Sequence, residues 1–259
     1  MRSRVQLIVA AFTGLGSIAV LGVPGSEAGP VALVDQDRSV RVTIPSIVES
    51  EPNVDETLTA PDHAPFNVTL DRTLSQLEQT NHAFASQDSS YGNVGDVFSV
   101  VAQGESQYSA TGVPGIVFAE SDFSLQFQLD EPRDYTINGT GSFVDTGGGA
   151  SNFAVTLTGP GGTVASFTKA DFDPGNLDGA VVNPVFDTGG TLDAGLYTLF
   201  ATSGVSGGTN LSGIESSFGF TFIATADPVI IPLPAAAGPG ALALGILGLA
   251  SARRFVRRG

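Results

Sequence analysis

DFSLQFQLD, residues 122–130, decides the fold. Phe123, Leu125, Phe127 and Leu129 alternate without a break with Ser124, Gln126 and Gln128. Successive side chains of a strand point to opposite faces, so this segment has one apolar and one wet face. On a helix the same residues would scatter around the whole circumference. The pattern returns in NFAVTLTG (152–159) with Phe153, Val155 and Leu157, and in SFGFTFIATA (217–226) with Phe218, Phe220 and Phe222. Tyr135 and Ile137 mark a further strand. Tyr197 and Leu199 mark another, with Leu196 and Phe200 on its opposite face.

Turn chemistry separates these runs. Glu131-Pro132-Arg133-Asp134 divides two of them, and Asp193-Ala194-Gly195 precedes the Tyr197 strand. Gly159-Pro160-Gly161-Gly162 predicts a tight hairpin. Short strands with one apolar face each need a second sheet to cover them. The expectation is an all-β ectodomain, an antiparallel β-sandwich of jelly-roll-like form. A barrel or a short solenoid is the alternative, although no fixed repeat period supports a solenoid. The N-terminal third is less regular. Residues 49–64, with Pro52, Pro61 and five acids, predict an exposed loop. Leu70, Leu74 and Leu77 fit one face of a two-turn helix, and equally a strand pair turning at Asp71-Arg72.

Both termini have targeting character, so the fold is expected in residues 29–226. Met1-Arg2-Ser3-Arg4 is basic, Val5 to Val23 is mostly apolar, and Ser26-Glu27-Ala28 offers small residues before Gly29. That is the plan of a secretory signal peptide over residues 1–28, with an uncleaved signal helix as the alternative. Residues 227–259 comprise a linker and a tail. In the tail, Ala235 to Ser251 are 17 uncharged residues, followed by Arg253, Arg254, Arg257 and Arg258. A helix of that length spans about 25 Å, just short of a hydrocarbon core. The arginines would act as a stop-transfer signal and stay cytoplasmic, leaving the domain outside.

From Gly29 to Ile231 there are five basic and 25 acidic residues, a net charge of −20. Such a surface repels nucleic acid and anionic head groups. The absence of Cys excludes disulfides and thiolate chemistry. The core must hold by burial alone, with 17 Phe supplying most of the aromatic bulk.

Ile231-Pro232-Leu233-Pro234-Ala235, the Gly/Leu/Ala-rich run behind it and the Arg cluster together resemble the PEP-CTERM sorting tail, in its Val/Ile-Pro-Leu-Pro-Ala variant. The middle of the chain resembles the Phe/Gly/Ser-rich β-domains that such tails carry. The resemblance implies a Gram-negative, exopolysaccharide-producing source and recognition of residues 231–235 by a membrane-embedded sorting protease, an exosortase. The product would be released to, or attached at, the cell surface.

Candidate chemistry is sparse. Asp171, Asp173, Asn176 and Asp178 lie in a Gly- and Asp-rich loop that could supply oxygen ligands to Ca²⁺, although the spacing is not that of an EF-hand. Gly204-Val205-Ser206-Gly207-Gly208 fits the letters of a nucleophile elbow but lacks a following helix, and reads as a loop. His63 and His82 are the two histidines, too few for a zinc site without carboxylate help. Carboxylate pairs for glycoside hydrolysis cannot be placed by sequence. Asn67-Val68-Thr69, Asn138-Gly139-Thr140 and Asn210-Leu211-Ser212 match glycosylation sequons, by chance if the source is bacterial. The expectation is a non-catalytic, surface-sorted structural or adhesive protein of the envelope or its extracellular polysaccharide. The alternatives are a Ca²⁺-assisted carbohydrate-binding module and a secreted hydrolase.

Overall fold

The computed structural model describes residues 29–226, apart from 47, 49, 112–115, 145–148, 174–178 and 209–210. Thirteen strands follow one another along it: β1 (Ala32–Ile44), β2 (Val54–Thr59), β3 (Phe66–Gln76), β4 (Gln79–Val94), β5 (Val97–Ala110), β6 (Val117–Leu129), β7 (Arg133–Val144), β8 (Gly149–Gly159), β9 (Gly162–Thr168), β10 (Val181–Val182), β11 (Val185–Leu192), β12 (Gly195–Gly207) and β13 (Leu211–Ala226). One helical turn, α1 (Lys169–Phe172), interrupts them.

The strands form two antiparallel sheets. The first runs β2-β1-β6-β12-β8-β9, the second β10-β7-β13-β5-β4-β3, with β11 also pairing β7. From β5 to β8 the chain alternates between the sheets. On its return, β12 inserts between β6 and β8, and β13 inserts between β5 and β7. This interleaving is the jelly-roll arrangement of a β-sandwich. The flat edges left by two separate sheets exclude the closed barrel and the solenoid.

The alternation in residues 122–130 is reproduced residue by residue. Throughout β6 every second side chain, from Val117 to Leu129, is buried, and those between are partly exposed. The Pro160-Gly161 turn joins β8 to β9 as the sequence predicts.

Three local expectations change. The acidic stretch 49–64 is not wholly loop, because Val54–Thr59 pairs with β1 as an edge strand. Its Asp55 and Glu56 find Arg41 and Arg72 as partners, at 3.2 and 2.6 Å. Leu70 and Leu74 belong to strand β3, not to a helix, and the hairpin turn falls at Leu77-Glu78, not at Asp71-Arg72. Gly204 to Gly207 are the end of β12, not a loop, because their neighbours on β6 and β8 supply a full ladder on both sides.

The interior has two apolar clusters. The larger gathers Phe98, Phe123, Phe127, Phe153, Phe218 and Phe222 with Leu125, Leu157 and Leu199. Its rings meet in mixed geometries: Phe98 and Phe127 tilted at 5.2 Å, Phe123 and Phe220 edge-on at 5.6 Å, Phe127 and Tyr197 stacked at 5.7 Å. The smaller gathers Val40, Val42, Ile44, Leu70, Tyr108, Val117, Val205 and Ile214. Between them lies a polar seam. Ser121 stands opposite Ser203, and Ser106 opposite Ser216, all buried. The Ser106 hydroxyl crosses between sheets to donate to the Ser203 carbonyl at 3.0 Å, and the Ser216 hydroxyl donates to the Asn152 carbonyl. Gln87 donates across to the Asp122 carbonyl at 2.7 Å. Buried Arg38 closes one side of the seam. Its guanidinium donates to Ser89 Oγ and to the carbonyls of Asp62 and Ala64, and lies over the rings of Phe66 and Tyr91.

Residues Ala28–Asp227 cluster as one unit, and the stretch before β1 and the end of β13 meet around Arg133 and Asp96. Arg133, 2% exposed, donates to the carbonyls of Asp96 and Gly29, and the Ala226 amide donates to the same Asp96 carbonyl. Among the described residues no helix is long and apolar enough to cross a membrane. The signal segment expected at residues 1–28 and the short membrane helix expected within residues 235–251 lie outside the described residues.

Candidate functional site

The wet faces of five strands build a groove across the outer surface of the second sheet. The antiparallel register places one residue from each strand in a transverse row: Asn67 of β3, Asp88 of β4, Gln103 of β5, Gly219 of β13 and Thr140 of β7. A second row beside it holds Thr69, Ser86, Glu105, Ser217 and Ser142. The space over these rows is about 520 Å³, with a shallower continuation of about 220 Å³ toward Val101, Asn138 and Thr221. Four inter-strand steps make the groove roughly 19 Å long. Its walls carry amides, hydroxyls and the Asp88 and Glu105 carboxylates, and no lining residue is basic.

The floor is shallow where glycine stands. A Cβ at Gly139 would collide with the Gly219 carbonyl and the Phe186 ring, and one at Gly104 would collide with Ser121 and Phe218. Those two glycines answer close packing inside the sandwich. At Gly219 the first atom met would be 3.9 Å away, and its φ is not positive. Neither packing nor backbone conformation requires glycine there. Two of the three sequons, at Asn67 and Asn138, lie in this groove and contribute amides and hydroxyls to its walls.

Sequence reasoning did not find this site. Each lining residue is on the polar face of an alternating strand, and that much was visible. Which polar faces become neighbours depends on strand order, which local periodicity does not encode.

The residues singled out for calcium are only partly placed. Asn176 and Asp178 lie outside the described residues. The Asp171 carboxylate is occupied at the start of α1, where it accepts from the Thr168 amide at 2.7 Å and the Thr168 hydroxyl at 2.8 Å. Asp173 is nearly buried and has a partner of its own. Among the described residues no group of three or more His, Asp or Glu is gathered for a metal. The histidines are separated along β4. His82 Nε2 lies 2.8 Å from Asp71 near the start of that strand, and His63 Nδ1 lies 3.0 Å from the Tyr91 hydroxyl near its end. Ser206 sits within β12, without the strand–turn–helix context that an elbow requires. Ile231–Ala235, expected to form a sorting motif, and the arginines at 253, 254, 257 and 258, expected to stop transfer, lie outside the described residues.

One carboxylate pair is drawn together on the outer face of the first sheet. Glu120 and Asp122 lie on the same side of β6, about 7 Å apart along the strand. Burial pushes the Glu120 carboxyl above the usual range, and the Asp122 charge adds to it while Arg41 opposes it. Burial likewise raises Asp122; the Thr202 hydroxyl opposes the shift and the Asp37 charge adds to it. Glu120 faces Arg41 on one side and side-chain-free Gly204 on the other, on an open sheet.

No family model matches the chain, and no curated protein matches it. Among solved structures it is similar to two of infectious bursal disease virus. One, of the Gx strain, has 13% identity and a TM-score of 0.25 over 81% of this chain and 59% of that one. The other, of the Gt strain, has 14% identity and a TM-score of 0.22 over 77% and 58%. A subviral particle of the VP2 protein of that virus gives 14% identity and a TM-score of 0.17. The chain spans under two thirds of the length of the two strain structures. At these scores the likeness carries no argument about function.

Proposed function

We propose that this protein is exported, sorted to the cell surface, and acts there as a non-catalytic structural or adhesive component of the envelope or its polysaccharide matrix. The observation that carries the reading is in the sequence: a signal-like start, the Ile231–Ala235 motif, an uncharged run and four arginines. A sorting protease would recognise the motif while the apolar run held the precursor in the membrane. The sandwich is compatible with this reading: its described chain begins and ends close together, where Arg133 donates to the Gly29 and Asp96 carbonyls and the Ala226 amide to the Asp96 carbonyl.

The test is to change Pro232 and Pro234 to Ala together and follow mass and location in cells. The expected outcome is a full-mass precursor retained in the membrane. A variant that loses its tail and leaves the membrane as the wild type does would overturn the sorting reading.

A further inference from the structure

We propose that the groove across β3, β4, β5, β13 and β7 binds a linear, uncharged polysaccharide. The proposal deepens the adhesive reading above by naming the partner and the surface that takes it. Three features select this ligand.

The first is the hydrogen-bonding inventory. Asn67, Asp88, Gln103 and Thr140 project into the groove, and none has a side-chain hydrogen bond among the described residues. Amides both donate and accept, a hydroxyl does the same, and a carboxylate accepts strongly. Sugar hydroxyls, which also do both, are the matching set. A row of such groups at inter-strand spacing repeats along the groove as hydroxyls repeat along a glycan.

The second is charge. Asp88 and Glu105 are the acidic side chains of the lining, and no Lys or Arg lies among the lining residues. A polyanionic chain would be repelled by these and by the acidic domain around them. The ladder argues against a peptide. Strand addition runs along a free sheet edge, whereas the groove runs across the strands: β4, β5 and β13 are paired on both sides, and β3, at one end of the groove, is the sheet's edge strand. The walls offer no deep apolar pocket to anchor a peptide side chain.

The third is Gly219. A side chain would fit at this position without collision, yet it would stand in the groove between Gln103 and Thr140. An open floor at that step is what a chain lying across the sheet needs.

The test uses the full chain in detergent micelles and native affinity electrophoresis against neutral xylan, β-glucan, galactomannan and dextran, with alginate as the acidic arm. At least one neutral polymer is expected to retard the protein, and the retardation should persist at about 0.5 M NaCl, where exposed charge interactions are screened. Gly219→Trp should weaken binding by about tenfold or more with an unchanged melting temperature. Asp88→Ala with Gln103→Ala, both exposed, should weaken it likewise, and this pair decides the matter if the Trp variant fails to fold. Absence of retardation by every neutral polymer overturns the proposal. So does wild-type binding by the folded variants, or binding of alginate alone. Because the sorting test reads mass and location, a protein that is sorted normally but binds no glycan refutes the groove and leaves the sorting reading standing.

Discussion

At the scale of the residue, the seam between the two apolar clusters shows how a single hydroxyl matters. Ser106, Ser203 and Ser216 have partners across the sandwich, but the Ser121 hydroxyl is buried without one among the described residues. A buried, unpaired hydroxyl costs about 1–3 kcal/mol of desolvation with no hydrogen bond in return. Ser121→Ala should therefore stabilise the protein by about 1 kcal/mol, seen as a higher urea midpoint with an unchanged slope. A lower midpoint would show that the hydroxyl contributes to the seam after all. Arg38 is the contrasting case. Its guanidinium is buried, yet carbonyls, Ser89 and two rings surround it, so it pins the loop before β3 to the body of the sandwich. Burial lowers its proton affinity, with Tyr91 and Asp62 opposing.

At the scale of the element, the β3–β4 hairpin is locally strained. Its two-residue turn places Leu77 and Glu78 at φ of 49° and 67°. Both central residues at positive φ define the turn type whose natural occupants are Asn and Gly. Each ordinary residue held there costs about 1–2 kcal/mol, and Leu77 recovers little by burial, being 75% exposed. Leu77→Asn with Glu78→Gly should stabilise the protein by about 1–2 kcal/mol, or a few degrees in Tm for a domain of this size. The check is differential scanning calorimetry. An unchanged or lower Tm would mean that the turn is not strained as its dihedrals indicate. The hairpin also explains why a helix was a fair expectation over Leu70–Leu77: leucines at intervals of four and three suit a helix, and nothing local revealed that β4 waits on the other side.

At the scale of the whole molecule, acidity sets the response to pH. Glu120 and Asp122 both ionise at higher pH folded than unfolded. In the interval between, the folded state holds protons that the unfolded state has released. Their contribution is therefore most favourable below the ordinary carboxylate range and is lost as pH rises through the raised folded values. Glu120→Gln with Asp122→Asn should raise Tm by a few degrees near pH 8 and leave it unchanged near pH 3, where the wild-type carboxyls are already neutral. A gain of the same size at both pH values would sink this account.

What the sequence by itself determined is what depends on near neighbours along the chain. Period-two alternation in residues 122–130, 152–159 and 217–226 sets strand identity and inner face, because each side chain's direction follows from the one before it. Gly159–Gly162 sets a hairpin for the same reason. The proposed sorting is a local reading of the same kind, resting on motif, apolar run and charge in order, and is a proposal. Edge strand β2 escaped because acids and Pro52 disguise a strand whose partner, β1, supplies the pairing and the arginine. The tertiary structure alone decided that β12 and β13 return between earlier strands, that four serines form one seam, and that Asn67, Asp88, Gln103, Gly219 and Thr140 share a row. Those residues are separated by up to about 150 positions, and their meeting is set by inter-strand hydrogen bonding and by burial of two apolar faces against each other. Neither force leaves a mark in the local order of residues.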